Sequence, residues 1–173
     1  APTAFERVIV AVDPPASAHR RSSACGIVGV GLRDGVAYVL KDASVQGVAP
    51  NDWARRAMST ARLLGAGRIV AEANQGGDMV RAVLAAASDG TLQTRIELRR
   101  ASLSKRARAE PVSVNYQNGL VRHVGCFPEL EDELCAFGAP GGSTHSPDRV
   151  DALVWAVSEL LVRREATPRL SAL

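Results

Sequence analysis

Unbroken apolar runs alternate along this chain with segments of helical periodicity. Val8 to Val12 form such a run in "VIVAVDPPAS", as expected of a strand covered on both faces at the centre of an α/β sheet. "CGIVGVGLR" and "GVAYVLKDA" predict two further strands joined by a tight turn at Arg33-Asp34-Gly35, so the first three strands should be antiparallel neighbours. "PNDWARRAMSTARLLGAG" places Trp53, Ala57, Ala61 and Leu64 on one helical stripe with Gly65 as the stop. "GRIVAEAN" is a second buried strand, and a helix from about Asp78 to Ala87 should turn Met79, Val80, Val83 and Leu84 inward.

Beyond that point the pattern weakens. "TLQTRIELRR" is a strand candidate, and "SLSKRARAEPVSVNYQNGLVRHVG" has helical composition interrupted by Pro111, followed by a short strand through Val121 and Val124. "PELEDELCAF" predicts a short acidic helix and "GAPGGSTHSP" a loop. "PDRVDALVWAVSELLVRR" predicts a long terminal helix with Val150, Leu153, Val154, Val157, Leu160 and Leu161 facing in. Residues 1–165 are read as one domain and 166–173 as a frayed tail.

Composition changes this picture little. With 46% hydrophobic residues and 4% aromatics, the core should be aliphatic helix-on-sheet packing, which excludes a disordered tail. Cys25, Cys126 and Cys135 lack CxxC spacing, so reduced cysteines are expected instead of a disulfide framework or zinc site. No run approaches a membrane span, and "APTAFERVIV" has none of the regions of a signal peptide, which predicts a soluble, unexported protein. The chain opens almost directly on a strand without an initiator Met, as a domain cut from a longer protein would. The net charge is only +3, yet Arg95, Arg99, Arg100, Lys105, Arg106 and Arg108 share one stretch whose sole acid is Glu97. Such a stretch suits a phosphate backbone, or equally a solvated charged face.

The acids carry the candidate chemistry. Asp13 ends the first buried strand, Glu72 stands near the end of "GRIVAEAN", and Asp148 and Asp151 fall in the first turns of the last helix, three apart and hence on one face. If the two strands are adjacent and the helix crosses their ends, these acids converge, and the cluster repels itself unless cations neutralise it. Hard oxygen donors of this kind suit Mg²⁺ or Mn²⁺, and a pair of such ions supports in-line phosphoryl displacement. Blander roles stay open at this point. Asp13 suits a turn before Pro14, and Ser146-Pro147 forms a cap and first helical position after which Asp148 and Asp151 favour the helix dipole. Lys105 suits either a phosphate contact or solvent. Asn74 and His145 are candidates for supporting contacts around the metals.

"VIVAVDPPAS", "RIVAEANQGGDMV", "SKRARAEPVSVNYQNGLVRHVG", "FPELEDELCAF" and "HSPDRVDALVWA" together resemble, in order and over nearly the whole chain, the C-terminal nuclease domain of large terminase subunits from tailed bacteriophages, prophages or gene transfer agents. The resemblance implies an RNase H-like (retroviral integrase-like, RuvC-like) fold with a mixed central sheet flanked by helices. It implies a two-metal endonuclease, using Mg²⁺ or Mn²⁺, that cuts concatemeric double-stranded DNA during packaging in the cytoplasm of a bacterial host. Asp13, Glu72 and Asp148 become the metal ligands, with Asp151 as substitute or fourth carboxylate, because "HSPDRVDA" stands where many relatives have "HDDxxDA". Arg100, Lys105, Arg106 and Arg108 become the DNA contacts. Walker motifs are missing, so the implied partner in the full-length protein is an N-terminal ATPase domain, with the portal and small terminase subunit as further candidates and no membrane. Two other readings remain: a RuvC-like junction resolvase, which would be an obligate dimer, and a non-catalytic DNA-binding or docking module of the packaging motor.

Overall fold

The apolar run at the start of the chain forms strand β1 (Arg7–Asp13), whose side chains alternate between two separate cores. Ile9 and Ala11 point into one, Val10 and Val12 into the other. This is why the run carries no polar position until Asp13: both faces of the strand are covered. The computed structural model describes residues 2, 4–15, 24–73, 77–88, 90, 94–138 and 146–162.

β2 (Ala24–Arg33) and β3 (Val36–Asp42) continue from β1 as antiparallel neighbours, turning at Asp34 and Gly35, both at positive φ. A two-residue strand, β4 (Val45–Gln46), pairs with the start of β2. Helix α1 (Pro50–Leu64) ends where expected, on Gly65 in the left-handed region, with Trp53, Ala57 and Ala61 buried. β5 (Arg68–Glu72) then runs parallel to β1, with Val12 opposite Ala71. After α2 (Gly77–Ala86), β6 (Arg95–Arg99) adds in parallel to β5. α3 (Lys105–Gln117) leads into β7 (Val121–His123), which pairs in parallel with β3. α4 (Pro128–Gly138) and α5 (Asp148–Val157) follow, and α5 continues into a π-helical segment over Ser158–Val162. The strand order is β6-β5-β1-β2-β3-β7, a mixed sheet with β1 at its centre. α1 and α2 cover one face, while α5, flanked by α3 and α4, covers the other.

Several expectations need correction. α3 runs through Pro111 without interruption. A mid-helix proline costs about 3 kcal/mol, and the packing of Val112, Ala109 and Tyr116 against the core offsets that cost. Met79 is 41% exposed and not part of the core, because α2 shows the sheet only the narrower stripe of Val80 and Leu84, with Val83 at its margin. The last helix starts at Asp148 with Pro147 in the capping position and no side-chain cap of its own, so Ser146-Pro147 is not the cap and first helical position. Ser146 accepts a hydrogen bond from Lys105 instead. Among the described residues no helix is long and apolar enough to cross a membrane, and all three cysteines are free.

Candidate metal centre

The period-2 alternation that splits the core also aims the acids. Asp13 falls on the same face of β1 as Ile9 and Ala11, and Glu72 on the same face of β5 as Val70, which is the face that α5 covers. Because β1 and β5 are adjacent and parallel, both carboxylates leave the sheet at the same edge. α5 brings Asp148 and Asp151 to that edge from above.

Three contacts fix the helix there. Gly26 on β2 lies opposite Asp13, and a Cβ on Gly26 would sit 1.8 Å from the carbonyl oxygen of Asp148. The first turn of α5 therefore rests directly on the backbone of β2, an approach that only glycine permits. Glu133 of α4 supplies the missing cap, accepting from the backbone N–H of Arg149 at 3.0 Å and of Val150 at 3.4 Å. Arg149 then ties Glu133 (2.9 Å) to Asp42 at the end of β3 (3.0 Å). At the far end of the helix, buried Glu159 accepts from Arg99 Nε at 2.7 Å, and Arg99 also binds Glu97. Arg99 is thereby committed to anchoring α5, which removes it from the basic surface that the sequence suggests.

Within the site, two cations from α3 reach into the acids. Lys105 and Arg108 are three apart and share a face of α3, while Arg106 points away into solvent. Lys105 Nζ donates to Asp151 Oδ2 and, at 3.2 Å, to Ser146 Oγ. Arg108 Nη1 donates to Glu72 Oε2 at 3.2 Å, and its Nη2 lies 3.9 Å from Asp151 Oδ1. The guanidinium also stacks over the Trp155 ring, 4.8 Å from its centroid, and the Trp155 indole N–H donates to the same Glu72 oxygen at 2.6 Å. Arg108, 10% exposed, thus stands inside the acid cluster, while Lys105 reaches the same acids from a side chain that remains 45% exposed.

Asp13 is the acid left over. Among the described residues its carboxylate receives no hydrogen bond, and its pKa is pushed well up, first by burial and then by Asp151 and Glu72, against the lowering effect of Lys105. Burial also raises Asp148 and Asp151, although Ser146 and Lys105 respectively pull them back by hydrogen bonding. Lys105 is raised despite the opposing cost of burial, because Asp151, Asp13 and Asp148 all favour its charge. Among the described residues no three acidic, histidine or cysteine side chains stand close enough to enclose one ion. The donor set nevertheless fits hard divalent cations, since Asp13, Glu72, Asp148 and Asp151 offer carboxylate oxygens that outnumber the two cations, Lys105 and Arg108, set among them.

Of the other candidates, Arg100 and Arg106 are exposed. Asn74 and His145 lie outside the described residues. Sequence reasoning missed Gly26, Glu133 and Trp155. The available signals were a glycine within an apolar strand and a tryptophan one helical turn after Asp151.

A raised carboxylate pKa gives a testable sign. A group raised by folding stabilises the fold below its unfolded pKa of about 3.9, and that contribution is lost as pH rises through the folded value. Asp148→Asn in EDTA should therefore melt no lower than the parent near neutral pH, with its relative stability improving as pH rises from about 4 toward 7. An Asp148 that served only the helix dipole would instead cost about 0.3 to 1 kcal/mol on substitution. Thermal melts of both proteins across this range separate the two.

A mixed sheet with carboxylates at the ends of two central neighbouring strands, crossed by an acidic helix, is an RNase H-like fold. The family model of the terminase RNaseH-like domain matches residues 10–160, and the chain belongs to that family. No curated protein matches it in sequence. Among solved structures, it is similar to the nuclease domain of the large terminase subunit of bacterial virus Sf6, with manganese and beta-thujaplicinol, at 17% identity over 89% of each chain and a TM-score of 0.66. It is also similar to the human cytomegalovirus terminase nuclease domain, manganese-soaked and inhibitor-bound, at 13% identity over 91% of this chain and 83% of that one, with a TM-score of 0.69. The large terminase of the thermophilic bacteriophage D6E matches 93% of this chain across 41% of its own length, at 14% identity and a TM-score of 0.67.

Proposed function

We propose that this chain is the nuclease domain of a large terminase subunit and cuts concatemeric double-stranded DNA during genome packaging. The single observation that carries the reading is the convergence of four carboxylates, Asp13, Glu72, Asp148 and Asp151, at one edge of the sheet. Asp13, Glu72 and Asp148 would hold two Mg²⁺ or Mn²⁺ ions, with Asp151 as the fourth carboxylate. When bound, such ions supply Lewis-acid activation and charge neutralisation for in-line attack on a phosphodiester. The chain's own groups do the rest: rigid strand ends hold Asp13 and Glu72, Gly26 and Glu133 fix the approach of α5, and Lys105 holds a positive charge beside the reacting phosphate. Manganese in the Sf6 and cytomegalovirus nuclease structures supports the choice of divalent metal. The length of the D6E large terminase beyond the matched part supports an ATPase domain as the covalent partner.

The test is incubation of purified domain with plasmid in Mn²⁺, Mg²⁺ or EDTA. Nicking or degradation in metal and none in EDTA is expected. Intact plasmid in both metals at low salt, with DNA binding retained, would favour the docking-module reading. Arg100 and Arg106 are the proposed backbone contacts, since both are exposed and neither forms an ion pair among the described residues. Replacing both by alanine should weaken binding alike for all sequences and flatten the log-log salt dependence by roughly two units if each meets one phosphate. An unchanged salt slope would put the DNA path elsewhere.

A further inference from the structure

We propose that Arg108 is a built-in competitor for one of the two cations: its guanidinium lies between Glu72 and Asp151, and metal can take both carboxylates only when Arg108 leaves. The inference rests on the metal-dependent nuclease reading above and adds a residue that regulates the loading of that site.

The geometry behind it is specific to Arg108. Its side chain is only 10% exposed and enters the cluster with one terminal nitrogen 3.2 Å from Glu72 and the other 3.9 Å from Asp151. The fork therefore bridges two acids from different elements, β5 and α5, as a divalent cation would. Yet the fit is incomplete. Arg108 Nε is fully buried and has no hydrogen-bond partner among the described residues, so the guanidinium leaves one donor unsatisfied in this position. The contact to Asp151 Oδ1 is also long, while the other oxygen of that carboxylate accepts from Lys105. A buried cation with an orphaned donor and one loose contact is poised to be displaced. A better ligand for Glu72 and Asp151 can release it.

Trp155 reports the exchange. Its ring carries the guanidinium and its N–H binds Glu72, so departure of Arg108 changes both faces of its environment. Lys105 cannot take the same role, since its bond is to Asp151 and Ser146, away from Glu72.

The experiment is Mn²⁺ titration of the intact domain followed by calorimetry and by tryptophan fluorescence, for the parent, Arg108→Gln, Arg108→Lys and Trp155→Phe. Arg108→Gln should bind the weaker of the two Mn²⁺ ions at least tenfold more tightly than the parent, because the competing charge is gone. Arg108→Lys, which keeps a charge, should fall between the two. In the parent, the emission change should track the weaker calorimetric step and be lost in Trp155→Phe. Equal or weaker Mn²⁺ binding in Arg108→Gln would overturn the proposal, as would a parent that binds Mn²⁺ by calorimetry with no change at Trp155. The second measurement decides the matter even if Arg108→Gln fails to fold. A parent that binds no Mn²⁺ at all would remove the nuclease reading itself, which keeps the two failures distinct.

Discussion

Asp13→Asn should reduce cleavage of plasmid DNA in Mn²⁺ by on the order of a hundredfold to a thousandfold, the loss seen when one preorganised electrostatic contact to a reacting centre is removed. In EDTA the same substitution should raise the melting temperature. The two effects have opposite signs because one carboxylate serves both. Burial and the neighbouring Asp151 and Glu72 hold the Asp13 pKa well above the ordinary carboxylate range, so its charge at neutral pH works against the fold. Asparagine keeps the shape and removes the charge. Metal then stabilises the parent, by about 2.7 kcal/mol at a hundredfold excess over its dissociation constant, and the variant far less. Melts in EDTA and in Mn²⁺, paired with a plasmid assay, measure all three quantities. A variant that melts lower in EDTA would mean that Asp13 is a structural turn residue after all.

Gly26→Ala should damage stability and cleavage together. The added methyl would meet the carbonyl oxygen of Asp148 at 1.8 Å and its carbonyl carbon at 2.5 Å, backbone atoms that cannot rotate away. Overpacking costs about 1 to 3 kcal/mol, which corresponds to a melting point roughly 2 to 12 °C lower for a domain of this size. Lifting the first turn of α5 also displaces Asp148 and Asp151 from Asp13, and a misplacement of about 1 Å can cost on the order of a hundredfold in rate. Gly67→Ala is the matched control, since a Cβ there meets nothing within 4 Å. It should cut DNA like the parent. Equal behaviour of the two variants would show that the approach of α5 to β2 is looser than the structure describes.

The strands that hold Asp13 and Glu72 were legible because burial on both faces leaves an unbroken apolar run, and a charge at its end is conspicuous. The neighbouring placement of those strands stood only as a condition in the sequence, and the parallel pairing of β1 with β5 supplies it. The contacts that complete the site were not legible, for a physical reason: each depends on a partner far away in the chain. Gly26 looks like any glycine in "CGIVGVGLR" until Asp148 is laid on it. Glu133 reads as one more acid in an acidic helix, although it caps a different helix. The basic stretch hid a division of labour, with Lys105 and Arg108 turned inward and Arg106 outward. Their i, i+3 spacing was visible, but the apparent break at Pro111 obscured the helix that gives that spacing meaning. Trp155 was left unassigned, although it lies one helical turn after Asp151.

The path of α5 across the sheet also sets the order in which this site can come into being. The bonds that close it join residues distant in sequence: Trp155 to Glu72 across 83 positions and Arg149 to Asp42 across 107. Loop-closure entropy must be met before such contacts give any return, whereas the β1-β2-β3 meander and α1 are built from near neighbours. A chain that has formed only β1 to β3, α1 and β5 keeps Asp13 and Glu72 on adjacent strands but has no Asp148 or Asp151 beside them. On the metal-dependent nuclease reading proposed above, half a carboxylate cluster would hold divalent ions poorly, and cleavage would wait for the final helix to dock.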